Sequence, residues 1–155
     1  MIYTSSPDIF TAWRAEAFAK KHKIPCVVEI RDLWPLSIVE YKNISAKNPA
    51  IITLFMLEKH IYKNADSLVF TMPGGKDYIC DKKWEKKVNP DKIFNVNNGL
   101  DIDLQGRQRK EDVYNDGELD DKKVFKVVYA GSVREANHVG LLVEAAKYIK
   151  NKGYS

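Results

Sequence analysis

The chain has 155 residues, 45% of them hydrophobic and 30% charged, with a formal charge of +4. That length suits one ordinary domain or two partial ones, and the balance is that of a globular protein rather than a disordered or fibrous one. The excess charge is small and spread over lysines, so it leans toward anionic partners, such as phosphates or an acidic membrane face, without demanding nucleic acid. No segment has the apolar length of a membrane span, and no Cys/His spacing suits a metal. Cys26 and Cys80 read as buried free thiols in a reducing cytosol.

In chain order, residues 1–4 look like the end of a strand. Ser6-Pro7-Asp8 is a helix start: a hydroxyl cap, proline at the first helical position, then an acid at the positive end. The helix runs to about Lys21, with Phe10, Trp13 and Ala17 on one face. Residues 25–30 read as a parallel strand covered on both sides, because they are apolar with little alternation. Residues 36–48 are polar and irregular. Asn48-Pro49 opens a helix to about Asn64, striped by Leu54, Leu57 and Ile61. SLVFT (67–71) is the next strand. Pro73-Gly74-Gly75 turns into a helix through Tyr78 and Ile79 that fades in the lysine-rich run 82–87. IFNVN (93–97) is a strand, and Asn97-Asn98-Gly99 reads as a sharp turn, since Asn and Gly tolerate left-handed backbone. Residues 102–122 are a linker by composition. FKVVYA (125–130) reads as a buried strand, and GSVREANHVG leads into a helix from about Asn137 to Lys150 with Leu141, Leu142, Ala145 and Ile149 as its stripe.

This alternation predicts an α/β fold: a Rossmann-like parallel sheet with flanking helices, joined by right-handed crossovers. Ligands in such sheets sit beyond the carboxyl ends of the strands. The strand ends are therefore the places to search.

VVEIRDLWP (27–35) is the first candidate. A buried strand empties into Arg31, Asp32 and Trp34, and a charge pair there must be paired, hydrogen-bonded or wet. Asp32 either caps the following turn, with Arg31 paired to a neighbouring acid, or faces a cleft as a base or as an acceptor for a sugar hydroxyl. Trp34 is then either core or a flat wall. The second candidate is the glycine turn at Gly131 and Ser132. There, backbone N–H groups, the following helix N-terminus and Arg134 have the chemistry to cradle a phosphate, or they form a plain strand-to-helix turn. Other signatures fail. No G-x-G-x-x-G follows a strand, and Asp77 stands where a P-loop needs Ser or Thr. The acidic run from Asp101 lacks the preceding helix and final Glu of a calcium loop.

Taken together, IYTSSPDIFTAW, VVEIRDLWP, LEKHIYKNADSLVFTMPGGKDYI, KIFNVNNGLDID and VVYAGSVREANHVGLLVEAAK resemble the retaining glycosyltransferases of family 4, of the capsule and lipopolysaccharide type. The resemblance spans nearly the whole chain outside 102–122. It implies part of a GT-B two-domain fold: residues 1–101 as the second half of an N-terminal acceptor domain, 102–122 as a linker, and 123–155 as the start of a donor-binding domain. Further strands would precede Met1, and the acidic pair and nucleotide pocket would follow Ser155. It also implies transfer of a sugar, with retention, from a nucleotide-sugar such as a UDP-sugar to a surface-glycan or lipid-linked acceptor, with no cofactor and no metal required. Arg31 and Asp32 would line the reacting centre. Asn98 and Gly99 would mark the crossing between domains, and Gly131, Ser132, Arg134 and Asn137 the approach to the diphosphate. The family's loop often reads G-R-L-x-x-x-K-G. Here Ser132 and Asn137 replace its two cations, leaving Arg134, backbone amides and the helix N-terminus.

The resemblance implies a cytoplasmic protein, in contact with the inner face of the membrane, and a chain that is inactive by itself. Nucleic acid is not an expected partner. A truncated sheet would leave an exposed edge that invites a second copy. The reading from another class is a non-catalytic α/β interaction or nucleotide-sugar-binding module, in which the strand-end polar groups serve turns and caps.

Overall fold

The computed structural model describes residues 1–5, 8–123, 125–134 and 137–153. It divides into two units, Met1–Gly99 and Leu100–Ser155.

The first unit is an α/β layer. Strands β1 (Ile2–Ser5), β2 (Cys26–Ile30), β3 (Ser67–Phe70) and β4 (Ile93–Asn95) form one parallel sheet in the order β1-β2-β3-β4. Helix α1 (Ile9–His22) joins β1 to β2. Helices α2 (Leu36–Lys42) and α3 (Pro49–Asn64) join β2 to β3, and α4 (Gly75–Asp81) with a 3-10 turn at Pro90–Lys92 joins β3 to β4. The expected fold class, a Rossmann-like parallel sheet with flanking helices, is present here.

Right-handed crossovers between successive neighbours put their helices on one face. One core cluster accordingly gathers Val28, Ile30, Leu68 and Phe70 from the sheet with Ala12 of α1, Ile61 of α3 and Ile79 of α4. Residues of the opposite face are only half-buried, as at Val27 and Val69, or exposed, as at Tyr3 and Phe94. The strand at 26–30 is thus covered mainly on one side, not on both. Its alternation is hidden because Val27 is as apolar as Val28.

The helix starts follow cap chemistry. Asp8 accepts from the Phe10 amide at 2.9 Å, and Asn48 accepts from the Ala50 amide at 2.9 Å ahead of Pro49. Ser6 and Pro7, expected to begin α1, lie outside the described residues. Gly74 holds φ +90°, a backbone that a side chain would strain, and so starts α4. Three expectations change. The inward face of α1 is Ile9, Ala12, Glu16 and Ala19, and the Phe10–Trp13–Ala17 stripe faces outward. Residues 36–42 are helical, not irregular: the backbone closes onto Leu33 and Pro35 despite the lack of a side-chain cap. Cys80 is exposed rather than buried, because it lies on the outer side of α4.

The second unit holds α5 (Ile102–Glu111), α6 (Gly117–Asp120) and α7 (Gly140–Asn151). The expected linker 102–122 therefore contains a ten-residue helix. Asp101 caps it, accepting from the Leu104 amide at 2.8 Å, and Arg109 and Lys110 sit at its negative end. Residues 125–130 form no strand among the described residues, since a strand needs a ladder partner and none pairs with them. Helix α7 begins at Gly140 rather than Asn137, without a side-chain cap. None of this unit's described residues is buried.

Two glycines give opposite expectations. A Cβ at Gly75 would lie 2.4 Å from the buried Phe70 ring, whereas at Gly106 it would meet nothing within 4 Å. Gly75→Ala should lower the urea unfolding free energy of the first unit by about 1–3 kcal/mol. Gly106→Ala should instead strengthen α5 by about 1 kcal/mol, read as slower amide exchange over Ile102–Glu111.

Candidate functional site

The register brings the strand ends of the first unit to one edge: Ser5 beside Glu29, Ile30 beside Phe70, and Phe70 beside Asn95. The ladder continues past it. The Thr71 amide donates to the Ile30 carbonyl at 3.1 Å, and the Val96 amide donates to the Phe70 carbonyl at 3.0 Å. The Asn95 amide group donates to the Phe70 and Met72 carbonyls, both at 2.9 Å, and locks the two loops together.

At this edge β2 opens into Arg31 and Asp32, both exposed. The turn closes through the backbone, the Trp34 amide donating to the Asp32 carbonyl at 3.0 Å. Among the described residues no donor reaches the Asp32 carboxylate, so it does not serve as a side-chain cap. Trp34 is half-buried ahead of a cis Pro35 and meets the Phe10 ring edge-on at 6.3 Å. Asp32 and Trp34 form the rim of a small hollow floored by Val28, Ile30 and Glu58. It has room for about one water.

Glu58 was missed by the sequence reading. It is 1% exposed, and the Tyr78 hydroxyl donates to its two oxygens at 3.0 and 2.9 Å. The Tyr62 hydroxyl also hydrogen-bonds this carboxyl. Burial pushes Glu58 up to about 7, and these bonds and the Lys82 ammonium only partly oppose it. Burial likewise raises both tyrosines, and the nearby Glu58 adds to this. A signal was present in the sequence: Glu58 interrupts the Leu54–Leu57–Ile61 stripe on its buried side. Glu16 does the same on α1, 3% exposed and 3.6 Å from the His60 ring.

Asn98 and Gly99 follow β4 at the same edge and are exposed. They are not the expected left-handed turn, since neither they nor Asn97 has a positive φ.

The remaining candidates lie in the second unit. Gly131 is a bend, and a Cβ there would lie 2.8 Å from the Tyr129 hydroxyl. The Asn137 side chain donates to the Ser132 carbonyl at 2.7 Å and to the Tyr129 hydroxyl at 3.0 Å. Asn137 therefore closes its own loop. Arg134 is exposed on a shallow depression that also holds His138 and the Glu144 carboxylate. Glu135 and Ala136 lie outside the described residues. With α7 starting at Gly140, its N-terminus is separated from Gly131 by the whole loop.

Among the described residues, no group of three or more His, Cys, Asp or Glu side chains could hold a metal ion, and no helix is long and apolar enough to cross a membrane. Comparison with known families, curated proteins and solved structures finds no match to this chain.

Glu58 makes stability pH-dependent. Its folded value, about 7, lies above the unfolded 4.5, so the native state keeps a proton that the unfolded chain releases. The contribution of Glu58 to stability should be greatest below pH 4.5, fall by about 3 kcal/mol as pH rises toward 7, and level off above. Glu58→Gln keeps an acceptor for Tyr78 without the charge and should flatten the profile in urea denaturation. Equal slopes for both proteins would show that the carboxyl is not the source.

Proposed function

We propose that the chain is part of a retaining, GT-B-type glycosyltransferase of the family 4 kind, acting in surface-polysaccharide synthesis, with the first unit on the acceptor side. The observation that supports this most is Asp32 at the carboxyl end of β2. It is an exposed carboxylate with no donor among the described residues, beside an aromatic wall at Trp34 and over a hollow floored by a second carboxyl. An acceptor carboxylate beside an aromatic ring suits a neutral sugar, whose hydroxyls donate and whose C–H face packs on the ring. Asp32 would take or orient the proton of the attacking hydroxyl. Arg31 would hold the acceptor or a phosphate oxygen. Gly131, Ser132 and Arg134 would approach the diphosphate of a UDP-sugar or similar donor through backbone amides and one cation. Asn137 would act there only by shaping the loop, because its amide is spent on Ser132 and Tyr129. This reading uses no metal, since the departing diphosphate is met by fixed dipoles and the arginine.

The non-catalytic module remains the rival. Its support is that the side chains of Asn95 and Asn137 are spent on loop carbonyls.

Replacing Asp32 by Ala in the gene should remove or shorten the cell's surface polysaccharide on gels, with protein level and circular dichroism unchanged. The chain itself should show weak or no binding of UDP by calorimetry. An unaltered glycan pattern with Asp32→Ala would favour the module.

A further inference from the structure

Glu58 and Asp32 leave opposite gaps in the hydrogen bonding around one hollow. Glu58 is 1% exposed and keeps its proton up to about pH 7. The Tyr78 and Tyr62 hydroxyls both donate to it, and each phenol brings a single hydrogen. With both tyrosines donating, the carboxyl's own hydrogen needs an acceptor elsewhere. Lys82, at the end of α4, is a donor only and cannot supply one. Asp32 shows the reverse. Its carboxylate accepts, and among the described residues no donor reaches it.

The hollow lies between the two. Glu58 is in its floor, Asp32 is on its rim, and it has room for about one water. Ile9 and Ala12 of α1, Val28 and Ile30 of β2, and Ile61 of α3 make the apolar wall. Asp32, Glu58 and Tyr62 line it with oxygens, beside the Trp34 ring. A buried water needs roughly two to four polar partners, and these groups provide them.

We propose that the hollow holds one structural water, which accepts a hydrogen bond from the Glu58 carboxyl and donates one to the Asp32 carboxylate, so that Glu58 is a positioning residue for Asp32. The water fixes the carboxylate from its buried side and leaves its outer lone pairs to a sugar hydroxyl. That use of Asp32 rests on the sugar-transfer reading, whereas the bridge itself does not. The bridge has a direction set by pH. Below about 7 Glu58 donates and the water's hydrogen points at Asp32. Above it Glu58 accepts, the water turns toward it, and Asp32 faces a second anion. The other titratable groups facing Glu58 are Tyr62 on α3 and Tyr78 and Lys82 on the α4 side. Both tyrosines are raised and stay neutral through this range, while Lys82 also meets Glu40 of α2. Helix α1 and strand β2 present apolar side chains to the hollow, and Glu16 is turned to His60.

The test is carbon-detected NMR of the full chain, labelled at its carboxyl carbons, from about pH 5 to about pH 9. In the wild type the Asp32 carboxyl carbon should show a step near pH 7 that follows Glu58. Glu58→Gln should abolish that step. Asp32→Asn should lower the Glu58 midpoint by about one pH unit, because a nearby carboxylate disfavours a second charge. Cross-relaxation from water to the Val28 and Ile61 methyl groups should reveal a long-lived water in the hollow. Both substitutions keep side-chain volume, and circular dichroism checks that they fold; the water signal and the wild-type step need neither. A step without the water signal leaves only the direct field between two carboxyls and overturns the bridge. A silent Asp32 carbon, or a step that persists in Glu58→Gln, overturns it as well. Failure of the bridge is separable from failure of the transferase reading. A missing bridge with glycan lost on Asp32→Ala removes the bridge alone, and an intact bridge with glycan unaltered removes the transferase reading alone.

Discussion

Parallel pairing in unbroken sequence order is the constraint on which the first unit rests. Each strand meets the one before it, so every crossover turns the same way and delivers its helix to the same face. Val28, Ile30, Leu68 and Phe70 can then share one core with α1, α3 and α4. The same pairing lines up the ends of β2, β3 and β4, so that Asp32, Met72 and Asn95 emerge at one edge. The chemistry at the edge and the packing beneath it follow from a single register. A one-residue slip in β2 would turn Val27 and Glu29 inward in place of Val28 and Ile30.

The core beneath that edge is not purely apolar. Glu58 sits where a leucine would serve packing as well, and two tyrosines from different turns of the fold keep it satisfied. Losing either hydroxyl would leave a buried carboxyl short of partners, which costs more than the bond itself contributes. Asp32, on the rim of the same hollow, is exposed. Two carboxyls of one hollow therefore stand in different environments, one dry and one wet. Lys82 extends the network outward, lying 3.7 Å from the Phe55 ring centre while Glu58 favours its charge against the cost of burial.

The second unit shows how far a local pattern reaches without partners. Residues 125–130 have the apolar composition of an inner strand, and α7 has a clear stripe, yet Phe125, Val127, Leu141 and Ile149 are exposed. A helix closes its own hydrogen bonds, so α5 forms even in a stretch of charges, given a cap at Asp101. A strand closes none by itself, so apolar composition alone does not make one. That asymmetry is why a helix forms inside the expected linker while the apolar run after it forms no strand among the described residues.

The sequence alone determined the alternation of strands and helices in the first unit, apart from α2, and the edge where polar groups gather. These depend on periodicity, caps such as Asn48-Pro49, and glycine at Gly74, all of which act over a few residues. Asp32 was legible as a candidate because a charge directly after a buried strand is conspicuous by position. Tertiary structure alone decided which face of α1 is inward, since Phe10 and Trp13 look like core until Ala12 and Ala19 are seen to allow the close approach of the sheet. It also decided that Glu58, rather than any residue at a strand end, would be the carboxyl most displaced from its ordinary behaviour. Desolvation depends on everything packed around a group, and the Tyr78 that meets Glu58 lies 20 residues away in the chain.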